Sequence, residues 1–226
     1  GPPLLEGGGS EGDGEAQVLD EVESKSILAK FGVPVPEFKV VGGAEEAVAA
    51  AEEMGYPVVV KALGVAHKTD VGGVKLDLGD AEAVSSAVAG MSAIGESFLV
   101  EKMVQGVVAE LIVGVTRDEQ FGPYLIVGGG GILVELMKDS RSLLLPISKA
   151  KVMDALETLE CAPLFHGFRG RPRADLSAAA DAIVAIASLV EDDPASIVEL
   201  DVNPLLLLPE GEGVVAADAL LSMKFG

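Results

Sequence analysis

Two stretches of this sequence place reactive residue types close enough together to carry chemistry. The first is VVVKALGVAHKTDVGGVKLDL, residues 58–78, where His67 stands between Lys61 and Lys68 and just ahead of Asp70 and the pair Gly72-Gly73. Nearby ammonium groups lower an imidazole's pKa and keep a ring nitrogen free, which makes His67 a competent nucleophile with Asp70 placed to orient it. A phosphate needs backbone N–H groups that approach closely and cations that neutralise it, and Gly72, Gly73, Lys61, Lys68 and Lys75 supply both. The plainer alternative is a solvated loop histidine among charges, and spacing alone does not separate the two.

The second stretch is VELDVNPLLLLPEGEGVVAADAL, residues 198–220. Glu199, Asp201 and Asn203 alternate and so share one face of a strand, and Asp218 comes from the next strand of the same hairpin. Carboxylate and amide oxygens converging there are hard ligands of the kind that hold Mg²⁺ bridged to phosphates. Acids beside a turn are also commonly just solvated.

The elements that must position these residues follow from periodicity. DEVESKSILAKFG reads as a short helix with an acidic start, apolar Val22, Ile27 and Leu28, and Gly32 as its stop. Pro34 and Pro36 favour an extended entry into a strand. GAEEAVAAAEEMGYP is an Ala-rich helix and VVVKAL a β-branched strand. Val74, Leu76 and Leu78 alternate with Lys75 and Asp77 as in a half-buried strand, so residues 58–78 read as strand, loop, strand. Asp80 caps a helix to Met91, SFLVEKMV is a strand, and AELIVGVTRDEQFGPYLIV is a hairpin. GILVELM and SLLLPI add strands, Ser148 opens a helix, residues 175–190 carry another, and two strands finish the chain. Helices alternate with strands early and hairpins dominate later, which predicts an α+β fold with two lobes.

Composition narrows the function classes. The 226 residues carry a formal charge of −20, which excludes broad electrostatic attraction to nucleic acid or anionic lipid, so an anionic ligand needs locally gathered lysines. The acidic, Gly-rich residues 1–20 read as a flexible linker or tail, with the folded domain over 21–226. No run of about 18 apolar residues and no secretory pattern is present, and Cys161 stands alone; a cytoplasmic protein is expected.

The order KSILAKFGVPVPEF, YPVVVKALGVAHKTDVGGVKLDL, FLVEKMV, AELIVGVTRDEQFGP, GGGGILVELMKD, GFRG and VELDVNPL resembles the ATP-grasp domain of NDP-forming acyl-CoA synthetases. That family includes ADP-forming acetyl-CoA synthetases and is related to the succinyl-CoA synthetase β subunit. AHKTDVGGVKL and ELDVNPL are its specific parts. The resemblance implies ATP or ADP bound between two lobes, approximately 33–100 and 101–226, with Lys61 on the phosphates. Glu101, Met103 and Val104 would be the adenine-reading hinge, with Glu110 on a neighbouring strand. Asp201, Asn203 and Asp218 match the Mg²⁺ positions. His67 would be the residue phosphorylated in transit. The implied partner is a CoA-binding domain or α subunit, giving a hetero-oligomer or part of a multidomain homodimer.

Other residues are read more plainly. His166, beside the arginines of FHGFRGRPR, is structural or solvent-facing, while those arginines face solvent, a phosphate or the partner. The glycines at 128–131 are a mobile turn or a loop closing on nucleotide, Arg141 faces water or a phosphate, and Cys161 is a core residue. Two functions stand: an acid–thiol ligase part that passes phosphate through His67, or a catalytically silent nucleotide-sensing module of a larger protein such as a lysine acetyltransferase. Retention of His67, Lys61, Asp201 and Asn203 favours the enzyme.

Overall fold

The computed structural model describes residues 15–65, 68–131 and 139–225. Among these, eleven strands form two antiparallel sheets. The smaller sheet has the order β2-β5-β3-β4, built from Phe38–Val41, Phe98–Lys102, Val58–Ala62 and Val74–Leu78. The larger runs β1-β11-β9-β6-β7-β8, with β10 also on β9; its strands are Ala16–Val18, Ala219–Lys224, Ile197–Leu207, Ala109–Asp118, Gly122–Gly129, Ser140–Leu144 and Val214–Ala216. This is the expected α+β arrangement. The strand expected at GILVELM falls mainly on residues 132–138, outside the described residues.

Each sheet has its own core. Helices α2 (Ala44–Met54) and α3 (Ala81–Met91) cover the smaller sheet, burying Ala47, Ala50 and Ala51 from one and Val84, Ala87, Val88 and Met91 from the other at helical spacing. Val58, Val60 and Ala62 of β3 point into that core. Val59 and Lys61 alternate onto the opposite face, which is buried too. The larger sheet packs against α4 (Lys149–Glu157) and α5 (Leu176–Asp192), whose buried Leu176, Ala179, Ala180, Ile183, Ile186, Ala187 and Val190 form one stripe.

Side-chain caps start the helices where the sequence predicts: Asp80 accepts from the Ala83 N–H at 2.8 Å and Ser148 from the Lys151 N–H at 3.3 Å. Asp175 does more. Its Oδ1 accepts from the Ala178 N–H, while its Oδ2 accepts from the N–H groups of Gly211 and Gly213 at 3.1 and 2.9 Å. One buried carboxylate therefore caps α5 and closes the β9–β10 turn, which sets the path of the chain toward Asp218.

Four expectations are corrected. Helix α1 (Glu21–Lys30) buries Leu28 but leaves Val22 and Ile27 only half-buried; the buried positions are Glu21, Ser24, Lys25 and Leu28, a stripe three-quarters polar. Residues 16–18 are not linker, because β1 pairs with β11 and extends the larger sheet. Leu76 is 61% exposed rather than half-buried: the β3–β4 register shifts between Val58 and Val60, and Asp77 has a φ of 55°, so a bulge turns Leu76 to solvent. Gly128 and Gly129 are not a mobile turn but the end of β7. There a Cβ on Gly128 would lie 2.7 Å from the Asp139 carbonyl oxygen.

Replacing Asp175 removes a helix cap and strands two amides of a tight turn. Asp175→Ala is expected to lower unfolding free energy by about 2–4 kcal/mol in urea denaturation, with an unchanged m-value. A loss below about 1 kcal/mol would show that water replaces the carboxylate fully.

Candidate functional site

A cleft of about 700 Å³ lies where the tip of β3–β4 faces the larger sheet. Its lining brings the two sequence stretches together: Leu63, Lys68 and Asp70 from the first, and Asp201, Asn203 and Asp218 from the second. Asp20 and Glu21 form another part of the wall, although sequence reasoning assigned them no role.

Behind that wall, charges from three elements are interlocked. Lys61, 5% exposed, places its ammonium 3.0 Å from Glu21 Oε1 and 3.0 Å from Glu101 Oε1, and donates to the Ala217 carbonyl at 3.0 Å. All three ammonium hydrogens thus have acceptors. Lys25, fully buried, donates to Glu101 Oε2 at 2.5 Å and sits 3.8 Å from Glu21 Oε2. Lys68 donates to Glu21 Oε1 at 3.0 Å. The sequence carried a usable signal for Glu21 and Lys25: with Ser24 and Leu28 they occupy the i, i+3, i+4, i+7 positions of one helix face.

The same cluster decides protonation. Burial would raise the Glu21 carboxyl, but a hydrogen bond with Asp218 and the charges of Lys61, Lys25 and Lys68 outweigh it and hold the acid at about 2. Asp218 is pushed up to about 7, first by burial and then by the Glu21 hydrogen bond and charge, against Lys61 and Lys68. Glu21 Oε2 is buried and has no donor if every neighbouring acid is ionised. The hydrogen bond between Glu21 and Asp218 couples the two carboxyls, holding one down and pushing the other up. For Lys25, burial and then the like charge of Lys61 lower the pKa against the pull of Glu21 and Glu101. Burial also opposes the Lys61 charge, yet the carboxylates of Glu101, Glu21 and Asp218 prevail and raise its pKa.

Several expected roles change on this geometry. Glu101 is not free to read adenine, because both its oxygens are held by lysines. Gly72 and Gly73 do not present free amides: the Gly73 N–H donates to the Lys68 carbonyl at 2.5 Å and the Gly72 N–H to the Thr69 carbonyl at 3.4 Å. They close the tip turn instead. Lys61 sits behind Glu21, and Lys68 is the lysine that lines the cleft. Met103 and Val104 lie half-buried in the connection between the sheets, with the Met103 N–H donating to the Pro57 carbonyl. Glu110 is half-buried on β6, its carbonyl accepting from the Gly130 N–H at 2.8 Å. Asp70 is exposed at the cleft edge, and His67 lies outside the described residues.

On the other side of the cleft, Asp201 projects from β9 and Asn203 follows on the same face. Burial and then the neighbouring Glu199 raise the Asp201 carboxyl, a repulsion that a cation relieves. Asp218 is in the β10–β11 connection rather than on a strand, with its carbonyl accepting from the Asn203 N–H at 3.0 Å. Among the described residues no group of three or more His, Cys, Asp or Glu side chains is arranged to hold a metal ion.

The remaining candidates are structural. His166 Nε2 is 2.6 Å from Glu157, and Arg173 approaches His166 Nδ1 at 3.3 Å. Arg141, its side chain 40% exposed, faces solvent while bonding Thr158 and the Ser140 carbonyl, and it does not line the cleft. Cys161 packs beside Asp139, whose hydrogen bond and charge, after burial, push the thiol up to about 12.

Comparison with known proteins matches residues 12–223 to the ATP-grasp domain family. The chain is 36% identical over 215 residues to the β subunit of an ADP-forming acetate–CoA ligase from Pyrococcus furiosus, covering 91% of each. It is 38% identical to a trans-feruloyl-CoA synthase of an unknown prokaryotic organism, covering 94% of this chain but only 31% of that enzyme's length. A dinucleotide-forming acetyl-coenzyme A synthetase from Ca. Korarchaeum cryptofilum superimposes with a TM-score of 0.78 at 34% identity, covering 90% of this chain and 92% of its own. That structure holds coenzyme A and Mg-AMPPCP, with a phosphohistidine segment pointing towards the nucleotide-binding site. Among the described residues no helix is long and apolar enough to cross a membrane. This chain belongs to the ATP-grasp domain family and matches, along nearly its whole length, the β subunit of an ADP-forming acetate–CoA ligase.

Proposed function

We propose that this chain is the nucleotide-binding, phosphoryl-transferring part of an NDP-forming acyl-CoA synthetase, interconverting acyl-CoA, ADP and phosphate with acid, CoA and ATP. The observation that carries the reading is the cleft itself, where Lys68 of the tip loop faces Asp201, Asn203 and Asp218 across a space of about 700 Å³. Cations on one wall and hard oxygen ligands on the other suit a metal-bound polyphosphate. The match to acetate–CoA ligase β subunits along nearly the whole chain supports the same assignment.

Asp201, Asn203 and Asp218 would hold Mg²⁺, and the set fits it because two carboxylates and an amide, all oxygen donors, line the same cleft. Bound there, Mg²⁺ would neutralise phosphate oxygens and orient the polyphosphate. Lys61 and Lys68 offer the phosphates charge from the opposite side. Met103 and Val104, in the connection between the sheets, would meet the base, with Glu110 nearby on β6. His67, next to Lys68 in sequence, would take the γ-phosphoryl group of ATP on a ring nitrogen with ADP as the leaving group, and Asp70 would assist as its orienting carboxylate. The phosphohistidine segment of the Ca. Korarchaeum cryptofilum enzyme supports this role for the loop. A CoA-binding domain or α subunit, inside a hetero-oligomer or a larger homodimeric chain in the cytoplasm, would supply the acyl and CoA sites.

Incubation with γ-labelled ATP and Mg²⁺ is expected to leave an acid-labile, base-stable label on His67 that ADP removes. His67→Ala should abolish it with nucleotide affinity nearly unchanged. A label that survives in that variant, or maps to His166 or a carboxylate, removes His67 from the path. Asp201→Ala should slow labelling by about 100-fold or more while the thermal midpoint stays close to that of the parent chain. Unchanged labelling with normal magnesium dependence would take Asp201 out of the site. With acid, CoA and ATP, the chain alone is expected to yield no acyl-CoA, by a thiol-consumption assay; robust synthesis would overturn the proposed division of labour.

A further inference from the structure

The tip loop between β3 and β4 is tied to the rest of the molecule at a single charged contact among those described. Lys68 donates to Glu21 Oε1 at 3.0 Å, with side chains 18% and 2% exposed, and the same oxygen accepts from Lys61. The loop's backbone is closed on itself at the same place. The Gly73 N–H bonds the Lys68 carbonyl, and a Cβ on Gly73 would lie 2.8 Å from that oxygen and 2.9 Å from Lys68 Cβ. The Ala62 N–H in turn bonds the Gly73 carbonyl at 2.7 Å, which joins the turn to β3. Lys68 therefore leaves a tightly closed turn, and the direction of its side chain fixes where the turn sits over the cleft.

Glu21 is well suited to receive it. The carboxylate stands in the first turn of α1, which is itself capped by Asp20 accepting from the Glu23 N–H at 2.7 Å. Ser24, one turn on, accepts from the Leu221 N–H at 3.1 Å and so joins the helix to β11. Lys25 holds the helix to Glu101 of β5. Glu21 is thus mounted on a helix tied to both sheets, and a lysine bound to it is held relative to both walls of the cleft.

We infer that Glu21 is a positioning residue, the anchor that docks the tip loop at the cleft by binding Lys68. The inference rests on the phosphoryl-transfer reading only for its consequence: Lys68 is covalently next to His67, so docking Lys68 sets where the histidine enters. Proximity of this kind governs rate at saturating substrate more than affinity.

Hydrogen–deuterium exchange on the full chain tests the docking, and labelling of His67 from ATP tests its consequence. In Lys68→Met and in Glu21→Gln, the amides of Gly72 and Gly73 are expected to exchange about 10- to 100-fold faster than in the parent chain, while those of α3 are unchanged. The double variant should add nothing further, because both substitutions remove one contact. Lys68→Arg should restore slow exchange. The labelling rate at saturating ATP should fall by at least about tenfold in Glu21→Gln, which keeps the Lys68 charge, with the ATP dissociation constant within about threefold, a split that general loosening of the fold would not give. Unchanged exchange in Lys68→Met, additive effects in the double variant, or loss of labelling through ATP affinity alone would overturn the anchor. If Glu21→Gln fails to fold, Lys68→Met and Lys68→Arg decide the matter. If the parent chain takes no label, the phosphoryl-transfer reading fails by itself, and the exchange pattern alone decides whether Glu21 docks the loop.

Discussion

The two sheets of this protein are joined through charge. Lys25 and Lys61 sit between Glu21 and Glu101, and the four side chains come from α1, β3 and β5. Such a group gives little net stability, since the cost of removing ions from water roughly cancels their attraction, and a well-packed apolar set of similar volume would hold a fold as firmly. Removing one partner is a different matter and costs about 3–5 kcal/mol, because it leaves an uncompensated buried charge. What the cluster provides is direction. Apolar contacts would let β3 slide against α1, whereas each ammonium here has named acceptors at fixed distances. The end of β3 is thereby aimed at the cleft.

That constraint explains the arrangement of neighbouring parts. Lys61 reaches across the molecule to the Ala217 carbonyl, next to Asp218, and so ties the smaller sheet to the connection that carries a candidate metal ligand. Asp175, at the other end of the same hairpin, fixes the turn at Gly211 and Gly213. The path from Asn203 through the turn to Asp218 is therefore held at both ends by buried carboxyl chemistry. Asn203 itself bonds the Asp218 carbonyl through its backbone, which leaves its side chain available to the cleft.

Much of the architecture was legible because it is written locally. Period-2 alternation gave β6 and β9, Ala-rich periodicity gave α2, and the caps Asp80 and Ser148 marked helix starts; none of these depends on a distant contact. Glu199, Asp201 and Asn203 could be placed on one face for the same reason. The departures sit where a turn, a bulge or a tertiary partner overrides the local pattern. Leu76 looks like a core residue until a bulge rotates it, and Gly72-Gly73 look like a phosphate cradle until their amides are spent on a turn. Glu101 looks like a hinge residue until two lysines from other elements occupy it. Helix α1 is the instructive case. Its apolar residues suggested one face, but the buried face is the polar one, and the clue was a lysine and a glutamate on the same stripe as Leu28.

A chain of formal charge −20 that gathers lysines around a cleft has to solve a further electrostatic problem. Bare ammonium groups buried beside an empty cavity would lose their charge to desolvation and would then be of no use to an anion. Glu21 and Glu101 prevent this by acting as resident anions, and their carboxylates keep Lys61 charged although it is almost wholly buried. Lys68, which lines the cleft, binds the same Glu21 oxygen as Lys61, so the lysine on the cleft wall is already oriented by a resident anion. Pairing each lysine with a nearby carboxylate in this way needs no surplus of positive charge on the surface. The acidic exterior and the lysine-lined interior are therefore two aspects of one design, in which local pairing, and not net charge, determines what the cleft accepts.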